Sequence, residues 1–196
     1  MNTWIAGFGM ALSAYLVGAI PFGLLFSRSI EGVDPRERGS GNIGATNVLR
    51  VVGKRAAALT LVCDILKGAV PVAVVRYFGM GEEILLIVSL AVVLGHIFPI
   101  YLRFKGGKGV ATAFGMFLAL SPQIAFIAAI FWLGGFLLSK YAAVAALTAF
   151  GVLPFISFFL TKEPMFILFA SSISLLVCIR HKDNIRRLMN GTEKEV

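Results

Sequence analysis

Residues 141–160 read YAAVAALTAFGVLPFISFFL, a stretch without a single charge. A helix of that length rises about 30 Å, the thickness of a bilayer's hydrocarbon core. Lys140 bounds the stretch on one side, and Lys162 with Glu163 bounds it on the other. Working outward, further apolar runs lie near 3–26, 55–77, 84–103, 108–121, 123–138 and 164–180. Composition agrees: 58% of the 196 residues are hydrophobic and 14% are charged, with a mean hydropathy of +0.89. Soluble domains are roughly a quarter charged, and one globular core could not hide so much apolar side chain. The reading is all-α: a polytopic transmembrane helical bundle of about seven membrane helices. No internal repeat or low-complexity tract appears, so residues 1–196 read as a single domain.

The runs at 108–121 and 123–138 are short and separated only by Ser121 and Pro122. They read either as two full spans or as a re-entrant pair across 108–138. Charge placement sets the orientation. The segment from Arg28 to Arg55, the segment from Arg103 to Lys108, Lys140, and the tail from Arg180 onward carry fifteen basic residues on one side. The other side holds Arg76 and Lys162, with Glu82, Glu83 and Glu163. The positive-inside rule then puts the N-terminus outside and the C-terminus in the cytoplasm. Fusing 108–138 into one crossing would send Lys140 and the basic tail outside, so a six-span reading is rejected.

The net charge of +8 could point to nucleic acid, but the basic residues sit between apolar runs, where topology explains them. No nucleic-acid partner is expected; membrane lipids are. Cys63 and Cys178 both lie inside spans, so no disulfide framework is expected. The start, Met1-Asn2-Thr3-Trp4, lacks a basic leader region, so the first span should remain in the mature chain.

Three charged segments combine glycine with hydroxyl, amide and basic residues. The first is Gly39-Ser40-Gly41-Asn42-Ile43-Gly44-Ala45-Thr46-Asn47, followed by Arg50. It contains a literal G-x-G-x-x-G with Asp64 beyond it, but a dinucleotide fingerprint needs a preceding strand and a βαβ unit. Glycines that admit close backbone approach, running into a helix N-terminus, suit an oxyanion instead. The second segment holds His96 and then Lys105-Gly106-Gly107-Lys108-Gly109, followed by Thr112. It is not a Walker A loop, since no Ser or Thr follows Lys108. Its glycines between lysines could form a backbone nest for phosphate. His96 reads either as a structural hydrogen bonder or as a ligand. The third segment is the tail, where His181, Asn184 and Arg187 recur at helical spacing. Within the second span, Asp64 and Lys67 stand three apart, either pairing with each other or holding a polar substrate. No zinc-binding spacing and no G-x-S-x-G elbow occurs, so neither a metal nor a cofactor is expected.

Taken together, GSGNIGATNVLR at 39–50, DILKG at 64–68, GHIFPIYLRFKGGKGVAT at 95–112 and HKDNIRRLMNGTE at 181–193 resemble the bacterial acyl-phosphate:glycerol-3-phosphate acyltransferase family. The one departure is Ile43, where the family usually has proline; it alters loop stiffness and removes no polar contact. The resemblance implies transfer of the acyl group of a fatty acyl phosphate to the 1-hydroxyl of glycerol 3-phosphate. The products would be 1-acyl-glycerol 3-phosphate (lysophosphatidic acid) and phosphate, in the first acylation of phospholipid synthesis. It implies a multi-pass protein of the bacterial cytoplasmic (inner) membrane with its site facing the cytoplasm, and functional coupling to the enzyme that makes acyl phosphate. Ser40, Arg50 and His181 are the expected catalytic residues. Lys105, Gly106, Gly107, Lys108 and Gly109 would hold the acyl phosphate. Asn42, Thr46 and Asn47 would shape the pocket, with Lys67, His96, Thr112, Asn184 and Glu193 as further substrate-binding positions. Glu193 is also expected to partner a loop arginine. Two other classes fit the bare residues: a transporter for a phosphate-bearing solute, which would often show inverted repeats, and a structural scaffold with lipid-binding tails.

Overall fold

The computed structural model describes residues 3–196; the start of the leader reading, Met1 and Asn2, lies outside the described residues. Among the described residues every regular element is a helix. The helices are α1 (Thr3–Gly18), α2 (Phe22–Glu31), α3 (Ala45–Val51), α4 (Lys54–Tyr77), α5 (Glu82–Ile97), α6 (Val110–Leu120), α7 (Pro122–Ser139), α8 (Ala142–Leu160), α9 (Pro164–Arg180) and α10 (Lys182–Met189). A 3-10 turn at Ile100–Leu102 follows α5. Large apolar side chains such as Phe8, Phe126, Phe159 and Leu168 are exposed, as lipid-facing residues must be. Hydroxyls within the spans bond back to their own helices: Thr60 Oγ1 donates to Ala56 O at 2.7 Å and Ser157 Oγ to Leu153 O at 2.9 Å. Such back-bonding removes the cost of a bare hydroxyl in hydrocarbon.

All seven expected apolar runs are helical, but they differ in reach. Long enough and apolar enough to cross are Thr3–Glu31 taken across its break, Lys54–Tyr77, Glu82–Leu102, Pro122–Ser139 and Ala142–Leu160. Pro164–Arg180 with Lys182–Met189 makes a sixth if its 55° bend is counted as one span. Helix α6 has only 11 residues, about 16 Å of rise. The first run, read as continuous, breaks after Gly18. Pro21 has no N–H to donate, and the chain turns there before α2 begins at Phe22.

The chain divides into two compact units, Met1–Leu120 and Ser121–Val196. In the first, α4 is the spine against which α1, α2, α3, α5 and α6 pack, while α1 also lies along α5. Missing side chains allow these approaches: a Cβ at Gly68 would strike the Thr112 carbonyl of α6, and one at Gly95 would strike the Tyr15 carbonyl of α1. Small residues at such contacts are how membrane helices come close. Near Lys54, α3 and α4 share a small core of Val48, Ala56 and Ala57 beneath Phe26, Ile30, Leu49 and Val52. In the second unit α8 packs between α7 and α9, and Lys140 turns the chain from α7 to α8 in the left-handed conformation (φ 65°).

These contacts set a level within the first unit. Helix α6 starts beside Gly68, halfway along α4, and ends where Arg76 donates to its last carbonyls, Ala119 O at 2.5 Å and Leu120 O at 2.8 Å. Helix α5 ends beside Asp64, and the break after α1 lies beside Lys67. Three helix ends therefore meet at the level of residues 64–68, leaving the first half of α4 flanked by α2 and α3. Irregular backbone at such depth survives only where protein or a polar cavity surrounds it. Arg76→Met should remove a cation from a helix C-terminus and leave two carbonyls without it. With the guanidinium exposed, the expected cost is about 1 kcal/mol, or roughly 2–4 °C in Tm. Thermal unfolding of the purified variant in detergent checks this.

Candidate active site

The loop before α3 is organised by one side chain. Asn47, in the first turn of α3, is almost wholly buried. Its Oδ1 accepts from the Ser40 N–H at 2.8 Å, and its Nδ2 donates to Pro35 O at 2.8 Å, Asn42 O at 2.8 Å and Arg38 O at 3.2 Å. Asn42 Oδ1 in turn accepts from the Gly44 N–H at 2.8 Å, an Asx turn that leads into the helix. Ser40 stands exposed between Gly39 (φ 63°) and Gly41 (φ 70°), two left-handed positions that suit glycine alone. A Cβ on Gly39 would also collide with Asn47 Oδ1. Thr46 and Arg50, one turn apart on α3, are half-buried. Ile43, the position of departure from the family pattern, is buried and lays its carbonyl against Gly23 of α2.

Asp34 anchors the base of this loop. Its carboxylate accepts from Arg28 Nη2 at 2.8 Å, from Arg36 Nε and Nη2 at 2.9 and 2.6 Å, and from the Arg36 N–H at 3.0 Å. The Arg36 side chain above all, with its backbone N–H and Arg28, holds this carboxyl well below the usual carboxylate range despite partial desolvation. A lowered folded value means stabilisation that is complete above the unfolded value near 3.8 and is lost as pH falls through the folded one. Asp34→Asn should therefore lower Tm by a constant amount between pH 7 and about pH 5, with the gap to the parent narrowing only below about pH 4. Melting curves of both proteins across that range test it.

The second segment forms where α5 stops. Gly106 N–H donates to Ile97 O at 3.2 Å and Gly107 N–H to His96 O at 3.1 Å, so these amides close the C-terminus of α5. This differs from the expected nest. The two glycines are there because a Cβ on Gly106 would meet His96 O, Ile97 O and Pro99, and one on Gly107 would meet His96 Nε2. An anion on this loop would instead face Lys105, which is exposed, the half-buried Lys108, and the turn through Gly109 (φ 85°) into α6. Thr112 is fully buried with no hydrogen bond to its Oγ1, and its carbonyl lies against Gly68.

Behind this loop the spine carries a buried ion pair. Lys67 Nζ lies 2.8 Å from Asp64 Oδ1 and also donates to Ile20 O at 2.8 Å, over the Phe22 ring. His96 Nδ1 is 3.8 Å from the same carboxylate oxygen. Of the two readings of Asp64 and Lys67, mutual pairing is thus observed.

The third segment belongs to the second unit. His181, buried at the junction of α9 and α10, places Nδ1 2.8 Å from Val177 O. A carbonyl only accepts, so Nδ1 carries the proton that faces Val177 O. Glu193 accepts from Asn184 Nδ2 at 3.0 Å and from Arg187 Nε at 2.7 Å, which clips the tail onto α10. The arginine it partners is thus a helical one of its own segment. The sequence-predicted residues are divided between the two units. Ser40, Asn42, Thr46, Asn47, Arg50, Lys67, His96, the residues 105–109 and Thr112 are arranged around α4 in the first unit. His181, Asn184 and Glu193 are gathered at α10 in the second. Sequence reasoning missed Asp34 and Arg76. Asp34 had a signal, an Asp-Pro-Arg turn at 34–36; Arg76 read only as a boundary charge.

Apolar helices long enough to cross a bilayer, joined by basic, glycine-rich loops, define a polytopic helical membrane protein. Its kin are specific. The family model of glycerol-3-phosphate acyltransferase matches residues 8–191. The glycerol-3-phosphate acyltransferase of Methylobacillus flagellatus is 45% identical over 182 residues, 93% of each chain. That of Mesorhizobium japonicum is 46% identical over 182 residues, 93% of this chain and 92% of its own. Among solved structures, PlsY (YgiH), an integral membrane glycerol 3-phosphate acyltransferase, in its glycerol 3-phosphate form matches with a TM-score of 0.92 at 40% identity, covering 97% of this chain and 96% of that one. Its lysophosphatidic acid form gives a TM-score of 0.89 at 39% identity, covering 97% and 95%. The chain belongs to the glycerol-3-phosphate acyltransferase family. It is a multi-pass membrane acyltransferase.

Proposed function

We propose that the protein moves the acyl group of a fatty acyl phosphate to the 1-hydroxyl of glycerol 3-phosphate, releasing 1-acyl-glycerol 3-phosphate and inorganic phosphate. The observation that supports the acceptor and the product is the pair of PlsY crystal forms, one the glycerol 3-phosphate form and one the lysophosphatidic acid form, on a closely similar chain; the donor is the one the sequence motifs imply. The family match runs without interruption through both compact units, which supports their acting as one catalytic domain. Both substrates carry phosphate, and the chain offers two basic, glycine-rich segments in its first unit and a basic helix in its second.

The chemistry asks little of a nucleophile activator. The hydroxyl oxygen attacks the acyl carbonyl, the bond from that carbon to the phosphate oxygen breaks, and phosphate leaves with the electron pair. The hydroxyl proton passes to the departing phosphate or to His181 as general base. Holding two anions close and stabilising the oxyanion is most of the task, and cationic loops suit it. We assign Ser40, Arg50 and His181 to the reacting groups. Lys105, Lys108 and Gly109 would hold a substrate phosphate, and Asn42, Thr46, Asn47 and Asn184 would support the pocket. The acyl chain stays in the lipid of a bacterial inner membrane while the phosphates meet loops on the cytoplasmic side, where the fifteen clustered basic residues argue they lie. An acyl phosphate hydrolyses readily, so coupling to the enzyme that forms it follows from the donor's chemistry.

The test is donor choice. Purified protein in detergent, given glycerol 3-phosphate, should form the acylated product from acyl phosphate with one phosphate released per acyl group, and none from acyl-CoA or acyl carrier protein. Equal use of acyl-CoA would overturn the reading.

A further inference from the structure

The level at which three helix ends meet in the first unit is also where its most expensive residues sit. Asp64 and Lys67 are buried almost completely, within a span, where ionisable groups are disfavoured by several kcal/mol. A buried ion pair is weak as a source of stability, because apolar residues of similar volume usually serve as well. Something other than cohesion accounts for it. The contacts show what leucine and methionine could not do. Lys67 reaches the Ile20 carbonyl at the break between α1 and α2, and Asp64 faces the Nδ1 edge of His96. The opposite edge of that ring, at Nε2, lies where a Gly107 side chain would have to go, and the His96 carbonyl receives the Gly107 N–H. The imidazole is thus a spacer between a fixed carboxylate on α4 and the backbone of the glycine loop.

From this geometry we infer that Asp64 is a positioning residue: through His96 it sets the place of the Gly106 and Gly107 backbone, and so of the phosphate-holding loop, without touching substrate. The inference rests on the proposed reaction and deepens it. It also gives His96 a role other than substrate ligand. The separation of 3.8 Å between Asp64 and His96 exceeds hydrogen-bond length. The carboxylate therefore orients the ring electrostatically, and the loop amides that donate to Ile97 O and His96 O, with Gly107 against Nε2, complete its seat.

The test is a kinetic cycle. Asp64→Asn keeps shape and removes charge, but leaves a buried lysine unpaired. Asp64→Leu with Lys67→Met removes both charges together and should fold. Either variant should raise KM for the substrate whose phosphate rests on the loop by about tenfold, with kcat and the other substrate's KM changed by less than about twofold. Running both substrates shows which phosphate that is. In a His96→Phe background, which keeps a ring against Gly107, Asp64→Asn should add little, because the effect travels through His96; independent sites would add. Asp64→Glu should recover part of the KM. A folded double variant with both KM values unchanged would overturn the inference. A fall in kcat alone, or additive effects with His96→Phe, would do the same. Failure of the double variant to fold would assign the pair to folding and overturn it too. Absence of any acyl-phosphate-dependent acylation in the parent protein would instead defeat the proposed reaction.

Discussion

Asn47→Asp should nearly abolish acyl transfer, by on the order of 100-fold or more, as should alanine at Ser40 or Arg50. Aspartate has the same shape and keeps an acceptor for the Ser40 N–H. What it loses is the amide that donates to Pro35, Asn42 and Arg38, and it places a negative oxygen against those three carbonyls. A buried carbonyl left without its donor costs about 1–3 kcal/mol, and three share the loss here. The loop from 35 to 44 would open, carrying Ser40 with it, while the apolar spans have no reason to change. Turnover with circular dichroism and size-exclusion behaviour in detergent checks both halves. Near-normal activity in a folded Asn47→Asp protein would separate the loop from catalysis.

The second large effect is expected at Gly107→Ala. Its methyl would enter the His96 ring, and at Gly106 a methyl would fall between two carbonyls at the end of α5. Either the ring or the loop must move, and activity should fall about tenfold or more at subsaturating substrate. Gly134→Ala is the matched control. It lies in α7 with no atom near an added Cβ, and alanine is the better helix former, so activity should hold and Tm should stay level or rise slightly. If the two variants behaved alike, the close contact at Gly107 would be without functional weight. Steady-state rates on both proteins settle the comparison.

Much of the fold was readable because lipid permits long runs without charge. The run at 141–160 and helix α8 agree almost to the residue. The break after Gly18 was harder to see: Pro21 sits in an apolar run, and only the packing of α1 on α5 and α2 on α4 shows that the run serves two helices. The polar residues of the candidate site were visible as types, but not as contacts. Asparagine at 47 announces a cap or turn, yet its partners are spread from 35 to 42 and lie on a path only the folded loop defines. Asp64 and Lys67 were legible at three residues' spacing, whereas His96, far along the chain, joins them only through packing of α5 on α4. Glycine enrichment at 106 and 107 reports that something comes close without saying what. A phosphate was the expected neighbour, and the end of α5 is the observed one.

The short α6 has an electrical corollary. Between the convergence of helix ends beside Gly68 and the far end of the first unit, regular structure is only one α6 or one α5 long, about 16–24 Å. A full bilayer core is about 30 Å. In a bilayer, an ionic group held at that level would stand partway through the field in either orientation of the chain, and a full crossing is worth about 2.3 kcal/mol per charge for each 100 mV.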